Sequence, residues 1–152
     1  MHFHLYLTVF AFSMLIPSCG DQTPETSPPD PISLPALEVP TGARVFFKSP
    51  ESGAKLTSPI KLQFGVSGME IRPAGTDEKG TGHHHVLIDR GAFPMGEIIP
   101  ADETHKHFGL GQTEAELVLT PGKHRLTMQF ADFMHRSFGK QMASEIEITV
   151  IE

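Results

Sequence analysis

An all-β fold is predicted by three observations. Apolar residues recur at every second position in one stretch after another, which places them on one face of a strand. No window carries an apolar stripe at helical spacing over an adequate length. Thirteen prolines and fourteen glycines among 152 residues punctuate the chain at turn-like intervals.

Taken in order, Val45 and Phe47 alternate with Arg44 and Lys48, and Leu62, Phe64 and Val66 alternate with Lys61, Gln63 and Ser67. Val86-Leu87-Ile88 is apolar without alternation, the pattern of a central strand running over His83–Asp89. Ala115, Leu117 and Leu119 oppose Glu114, Glu116 and Thr120, while Leu126, Met128 and Phe130 oppose Arg125, Thr127 and Gln129. Thr120-Pro121-Gly122-Lys123 between them fits a tight turn, because Pro presets φ and Gly accepts a positive one, so these two stretches are predicted to form a hairpin. Ile146, Ile148 and Val150 close the chain with a half-exposed strand. With a short strand at Glu97–Ile99 the count reaches about seven, the number of an immunoglobulin-like antiparallel β-sandwich. A small barrel shares the same alternation and is the second choice.

Residues 43–152 are read as this domain, large enough for one core. Ahead of it, Leu5–Ile16 is apolar but too short to span a bilayer, and Ile16-Pro17-Ser18-Cys19 puts small residues before the single cysteine. That pattern resembles a bacterial lipoprotein signal over residues 1–18, with Cys19 as the lipidated first residue of the mature chain. An ordinary cleaved signal leaving a free thiol is the alternative. Six of the thirteen prolines fall between Gly20 and Pro40, among Thr, Ser, Asp and Glu. A segment with so little to bury does not recover its ordering entropy, so residues 19–42 are expected to be a flexible tether in the bacterial cell envelope, facing the periplasm or attached at the outer membrane.

A net charge of −6 with scattered Lys and Arg argues against nucleic acid and against an anionic membrane surface as the main partner. The membrane is expected to be reached through the lipid instead. Tryptophan is absent and the single tyrosine, Tyr6, lies in the signal, which disfavours sugar stacking.

Three successive histidines, His83-His84-His85, stand between a glycine-rich approach and the apolar strand. Imidazole is the commonest metal ligand near neutral pH, and alternate residues of a strand share a face, so His83 and His85 can reach one ion unless a bulge rearranges all three. His105 and His107 lie on a predicted loop, Asp102–Gly111, and His135 follows the strand Leu126–Phe130 close to Asp132 and Met134. Zinc or copper takes three or four ligands drawn from different elements. The predicted ligands are His83, His85, His107 and His135. His84, His105, Asp89, Asp132 and Met134 are further candidates as ligands or as groups that orient an imidazole. His124 shares parity with Leu126 and Met128 and reads as a satisfied histidine at the core edge; Met69, Met128 and Met142 read as core filler. A polar strand start with no ligand is the competing reading of the triplet.

Several motifs together resemble the bacterial family called domain of unknown function 4399. They are Gly82–Asp89, His107–Glu114, Pro121–Leu126 and Ser144–Val150, with Phe64–Met69 and Pro73-Ala74-Gly75. The resemblance implies an exported, mostly β domain and carries no established activity. The family pattern has an Asp before a His, then a second His in a proline-rich stretch. Asp132 and His135 match the first part, whereas Arg136-Ser137-Phe138-Gly139 departs from the second.

Three classes of function follow. The first is an exported metal-binding module for copper or zinc, with copper favoured by the nearby Met134 and Met69. The second is a metal-dependent hydrolase with Glu114 or Asp132 as base, although the chain has no G-x-S-x-G elbow and no H-E-x-x-H pair. The third is a structural module that binds an envelope protein through loops bearing Phe93, Phe108, Phe133 and Phe138.

Overall fold

The alternating stretches become nine strands: β1 Arg44–Ser49, β2 Lys55–Thr57, β3 Ile60–Ser67, β4 Glu70–Ile71, β5 Thr81–Ile88, β6 His105–Phe108, β7 Glu114–Leu117, β8 Gly122–Ala131 and β9 Ala143–Ile151. They are seen in a computed structural model that describes residues 34–152. The expected signal, Cys19 and the tether up to residue 33 lie outside the described residues.

One sheet runs β1-β3-β7 and the other β2-β9-β8-β5, with β4 and β6 taking successive parts of the outer edge of β5. Strands one, three and seven facing nine, eight, five and six is the A-B-E against G-F-C-C′ arrangement of an immunoglobulin sandwich. The predicted class therefore holds, with two corrections. Short parallel pairs, β2 with β9 and β4 with β5, join the antiparallel ladders. The predicted strand at Glu97–Ile99 is reduced to a single bridge between Ile98 and Arg136.

The predicted hairpin is also corrected. β7 pairs with β3 and β8 pairs with β5 and β9, so the Thr120-Pro121 turn carries the chain from one sheet to the other. Alternation shows only that each stretch has one apolar face, and a turn into the opposing sheet satisfies that as well as a hairpin does.

Between the sheets, Ile60, Leu62 and Phe64 of β3 meet Leu126, Met128 and Phe130 of β8, with Ile146, Ile148 and Val150 of β9, all buried. Met69, Met128 and Met142 belong to the same core, as read from the sequence. β5 is buried at every position because both of its faces are covered. Its inner face carries His84, Val86 and Ile88. Its outer face is roofed by a smaller cluster in which Leu87 packs with Ile99, Ala131 and Phe93. Buried Gln129 staples this roof down: its Oε1 accepts from the Phe93 N–H at 3.1 Å, and its Nε2 donates to the carbonyls of Gly139 and Met142 at 3.0 and 3.1 Å. All of these are hydrogen bonds that a buried amide needs.

The packed chain starts earlier than residue 43. Leu37 and Val39 rest on the core, and the Arg136 guanidinium donates to the Pro35 carbonyl at 3.0 Å. The compact unit accordingly begins at Pro35, and the tether expected through residue 42 is shortened. Two apolar residues spaced two apart suffice to hold an extended segment against a sheet end.

Gly82 of β5 shows how closely the central strands approach. A Cβ there would overlap the Ala131 carbonyl oxygen and stand 2.7 Å from Phe130 Cε1. Gly82→Ala should force β5 and β8 apart at the start of the histidine run and cost about 1–3 kcal/mol, the range for overpacking. Urea denaturation of the two chains measures this; equal midpoints would refute it.

Candidate metal centre

Strand parity and register assemble the site. His83 and His85 project from the outer face of β5 while His84 projects inward, so the bulged alternative does not occur. In the antiparallel pairing of β5 with β6, His107 lies opposite His85 and His105 opposite Leu87, and opposed residues share a side of the sheet. His105 and His107 are thus on a strand rather than on the predicted loop. On the other side, His83 lies opposite Ala131, the last residue of β8, and the chain then turns through Asp132–Arg136.

That turn is held by one carboxylate. Asp132 Oδ1 accepts from the N–H groups of Met134 and Arg136 at 3.0 and 2.8 Å, and Oδ2 accepts from the Arg136 guanidinium Nε and Nη2 at 2.7 Å each. Inside it His135 adopts a left-handed φ of 66°, donating its N–H to the Asp132 carbonyl at 2.9 Å. A non-glycine residue there is strained, and the strain persists because the surrounding bonds over-determine the turn. The consequence is that the His135 ring folds back over β5 and β6.

Four imidazoles converge. Nε2 of His83 and His85 are 3.1 Å apart, and Nε2 of His107 and His135 are 3.2 Å apart. Ring centroids are separated by 4.7 Å for His107–His135, 4.9 Å for His83–His85 and 5.0 Å for His83–His107, His83–His135 and His85–His107. His85–His135, at 5.8 Å, is the longest. His83, His107 and His135 each offer a ring nitrogen within 4.8 Å of the other two, and these three can hold a metal ion. Two nitrogens bound at 2.0–2.1 Å to one ion stand about 2.9 Å apart at a right angle and about 3.4 Å apart at the tetrahedral angle. Both close contacts fall in that interval. His83 and His85 form a floor with no exposed surface, while His107 and His135 form the rim that meets solvent.

Burial keeps the floor neutral. Desolvation first, then the like charges of His107 and His135, lowers His83 to about 4, and desolvation with His83 lowers His84 to about 3. His85 is pushed down further by desolvation and by its histidine neighbours, and His107 is lowered by burial and by His135. Nδ1 of both His83 and His85 is buried with no partner, so whichever nitrogen carries the proton, a polar group stays unpaired.

The other candidates lie elsewhere. His84 points into the core, its ring centroid 5.0 Å from those of Phe64 and Phe130, with neither nitrogen partnered. His105 is turned to Asp102, with Nδ1 2.8 and 2.9 Å from its oxygens. Asp89 follows the far end of β5, where it binds His124 Nδ1 at 2.9 Å and accepts from the Arg125 N–H at 2.9 Å; His124 is satisfied there, as expected. Asp132 is committed to its own turn and to Arg136, and Met134 is exposed, tied to that turn through its backbone N–H. Met69 is in the core, so the methionine argument for copper lapses. Neither proposed base is free at the cluster, because Glu114 is on β7 in the opposite sheet and Asp132, whose charge reaches His83, is paired with Arg136. Phe108 and Phe138 are buried, which removes them from a loop-borne docking face.

Two supporting residues escaped the sequence reading. Arg136 completes the Asp132 turn. Gly109 lets the His107 ring lie against backbone: a Cβ there would fall on Cε1 and Nε2 of that ring and 3.2 Å from Nδ1. The signal was the spacing His107-Phe108-Gly109, a glycine two residues beyond a candidate ligand and on the same side of the chain.

An immunoglobulin-like sandwich with a histidine cluster on the outer face of its central strand is thus the class of protein that fold and site define. The chain belongs to the family described as Domain of unknown function (DUF4399), whose model matches residues 62–151, a span that includes all four clustered histidines. No curated protein and no solved structure matches it.

Two outcomes follow. Unfolded histidines titrate near 6.5, whereas His83 and His84 in the fold do so near 4 and 3, so below 6.5 the unfolded metal-free chain takes up protons that the folded one does not. The stability these groups contribute should be full above about pH 6.5 and fall progressively toward pH 4, with the part of the decline above about pH 5 preceding most carboxylate titration. Urea midpoints across that window test it, and a flat profile would contradict it. Gly109→Ala should expel the His107 ring from the cluster, which long-range ¹H–¹⁵N imidazole spectra would report as a shift of the His107, His135, His83 and His85 signals with those of His84 and His124 unmoved.

Proposed function

We propose that this chain is an exported, lipid-anchored module that holds one copper or zinc ion on His83, His85, His107 and His135. The observation that carries the reading is the convergence of imidazoles from β5, β6 and the turn after β8: His83, His107 and His135 each offer a nitrogen within 4.8 Å of the other two, and His85 Nε2 stands 3.1 Å from His83 Nε2. An all-nitrogen set suits either ion. Anchoring through Cys19 rests on the lipoprotein-like Ile16-Pro17-Ser18-Cys19, which would hold the domain near a membrane of the bacterial envelope.

Isothermal titration of the purified full chain should show one equivalent of Cu(II) or Zn(II), abolished in His83→Ala/His107→Ala and retained in His105→Ala, whose ring faces Asp102. Binding lost equally in all variants, or absent at micromolar metal from a chain whose circular dichroism shows it folded, would end the reading.

A further inference from the structure

The donor set is uncharged. Among the described residues, the group of His, Cys, Asp and Glu side chains able to share an ion consists of His83, His107 and His135 alone, with His85 beside His83. The carboxylates nearest in the fold are spent. Asp132 is held by the Arg136 guanidinium at 2.7 Å and by two backbone N–H groups, and Asp102 is held by His105, Thr104 and the His105 N–H. A divalent ion on these imidazoles therefore keeps both of its positive charges, over a floor from which water is excluded. Charge in such surroundings is costly without a counter-charge. The one carboxylate whose charge reaches the floor, Asp132, is offset by the Arg136 guanidinium, and the cluster meets solvent at His107 and His135. At that rim the two rings are in contact, with their Nε2 atoms 3.2 Å apart.

From this we infer that the loaded site takes one small anion from solution as a further ligand, on the solvent-facing side formed by His107 and His135. The inference rests on the metal reading above. It makes the site a joint receptor for a cation and a small anion of the hydroxide, chloride or azide class, with the ion supplying the charge that attracts the anion. Arg136 does not compete for that anion, its guanidinium being occupied by Asp132 and the Pro35 carbonyl.

Cobalt(II) serves as the probe, since its visible bands report coordination number and ligand type. Titrating the full chain with Co(II) and then with sodium azide should give a saturable shift of those bands. By linkage, azide at about ten times its own dissociation constant should tighten apparent Co(II) affinity about tenfold. Cobalt bands that appear but do not respond to azide would overturn the inference and leave the metal site standing. No cobalt bands at all, in a chain that is folded by circular dichroism, would remove the metal reading and this inference with it. The same azide response in His83→Ala/His107→Ala would assign it to free cobalt and also overturn the inference.

Discussion

The structure turns on one strand that is buried on both faces while carrying three histidines in a row. Parity leaves β5 no freedom: one imidazole must enter the apolar core and two must face the roof. Each lacks a full set of hydrogen-bond partners, which opposes folding by roughly 1–3 kcal/mol per unsatisfied group. A chain that tolerates such a concentration of unpaired polar atoms at its centre has placed them against the drive for burial. For His83 and His85 the unpartnered atom is Nδ1, while the two Nε2 atoms meet each other at 3.1 Å.

Much of the remaining architecture braces that arrangement. β6 is only four residues long, yet its register sets His107 opposite His85. Gln129 ties the roof on both sides, and the Asp132–Arg136 pair freezes a left-handed turn around His135. Glycines at 82 and 109 stand where strand or ring comes too close for a side chain. These residues touch no ion themselves. They convert loose imidazoles into a cluster whose spacing is set before anything binds, and preorganisation of that kind is what makes a site selective rather than merely rich in donors.

The division between a buried floor and an exposed rim also gives the cluster a direction. His83 and His85 belong to the most deeply packed strand, whereas His107 and His135 sit on a short edge strand and a turn. Elements of the second kind open at lower free energy than a central strand does. Entry and release of an ion would therefore run through the rim, with the floor unchanged.

By itself the sequence determined the all-β class, most of the inward-facing residues and the parity of His83 and His85, because a period of two is a local property of an extended chain. It also singled out His107 and His135 as partners. Strand pairing decided the rest. That Ala115–Leu119 and Leu126–Phe130 lie in different sheets, that His84 faces Phe64 and Phe130, and that Asp132 serves Arg136 rather than an imidazole all depend on contacts between residues remote in the chain. Alternation tells a strand which side is apolar but not which neighbour will cover it, and a carboxylate near a histidine in sequence goes to whichever donor the fold brings nearest. Only the register of β6 on β5 and the turn after β8 could bring four rings to one place.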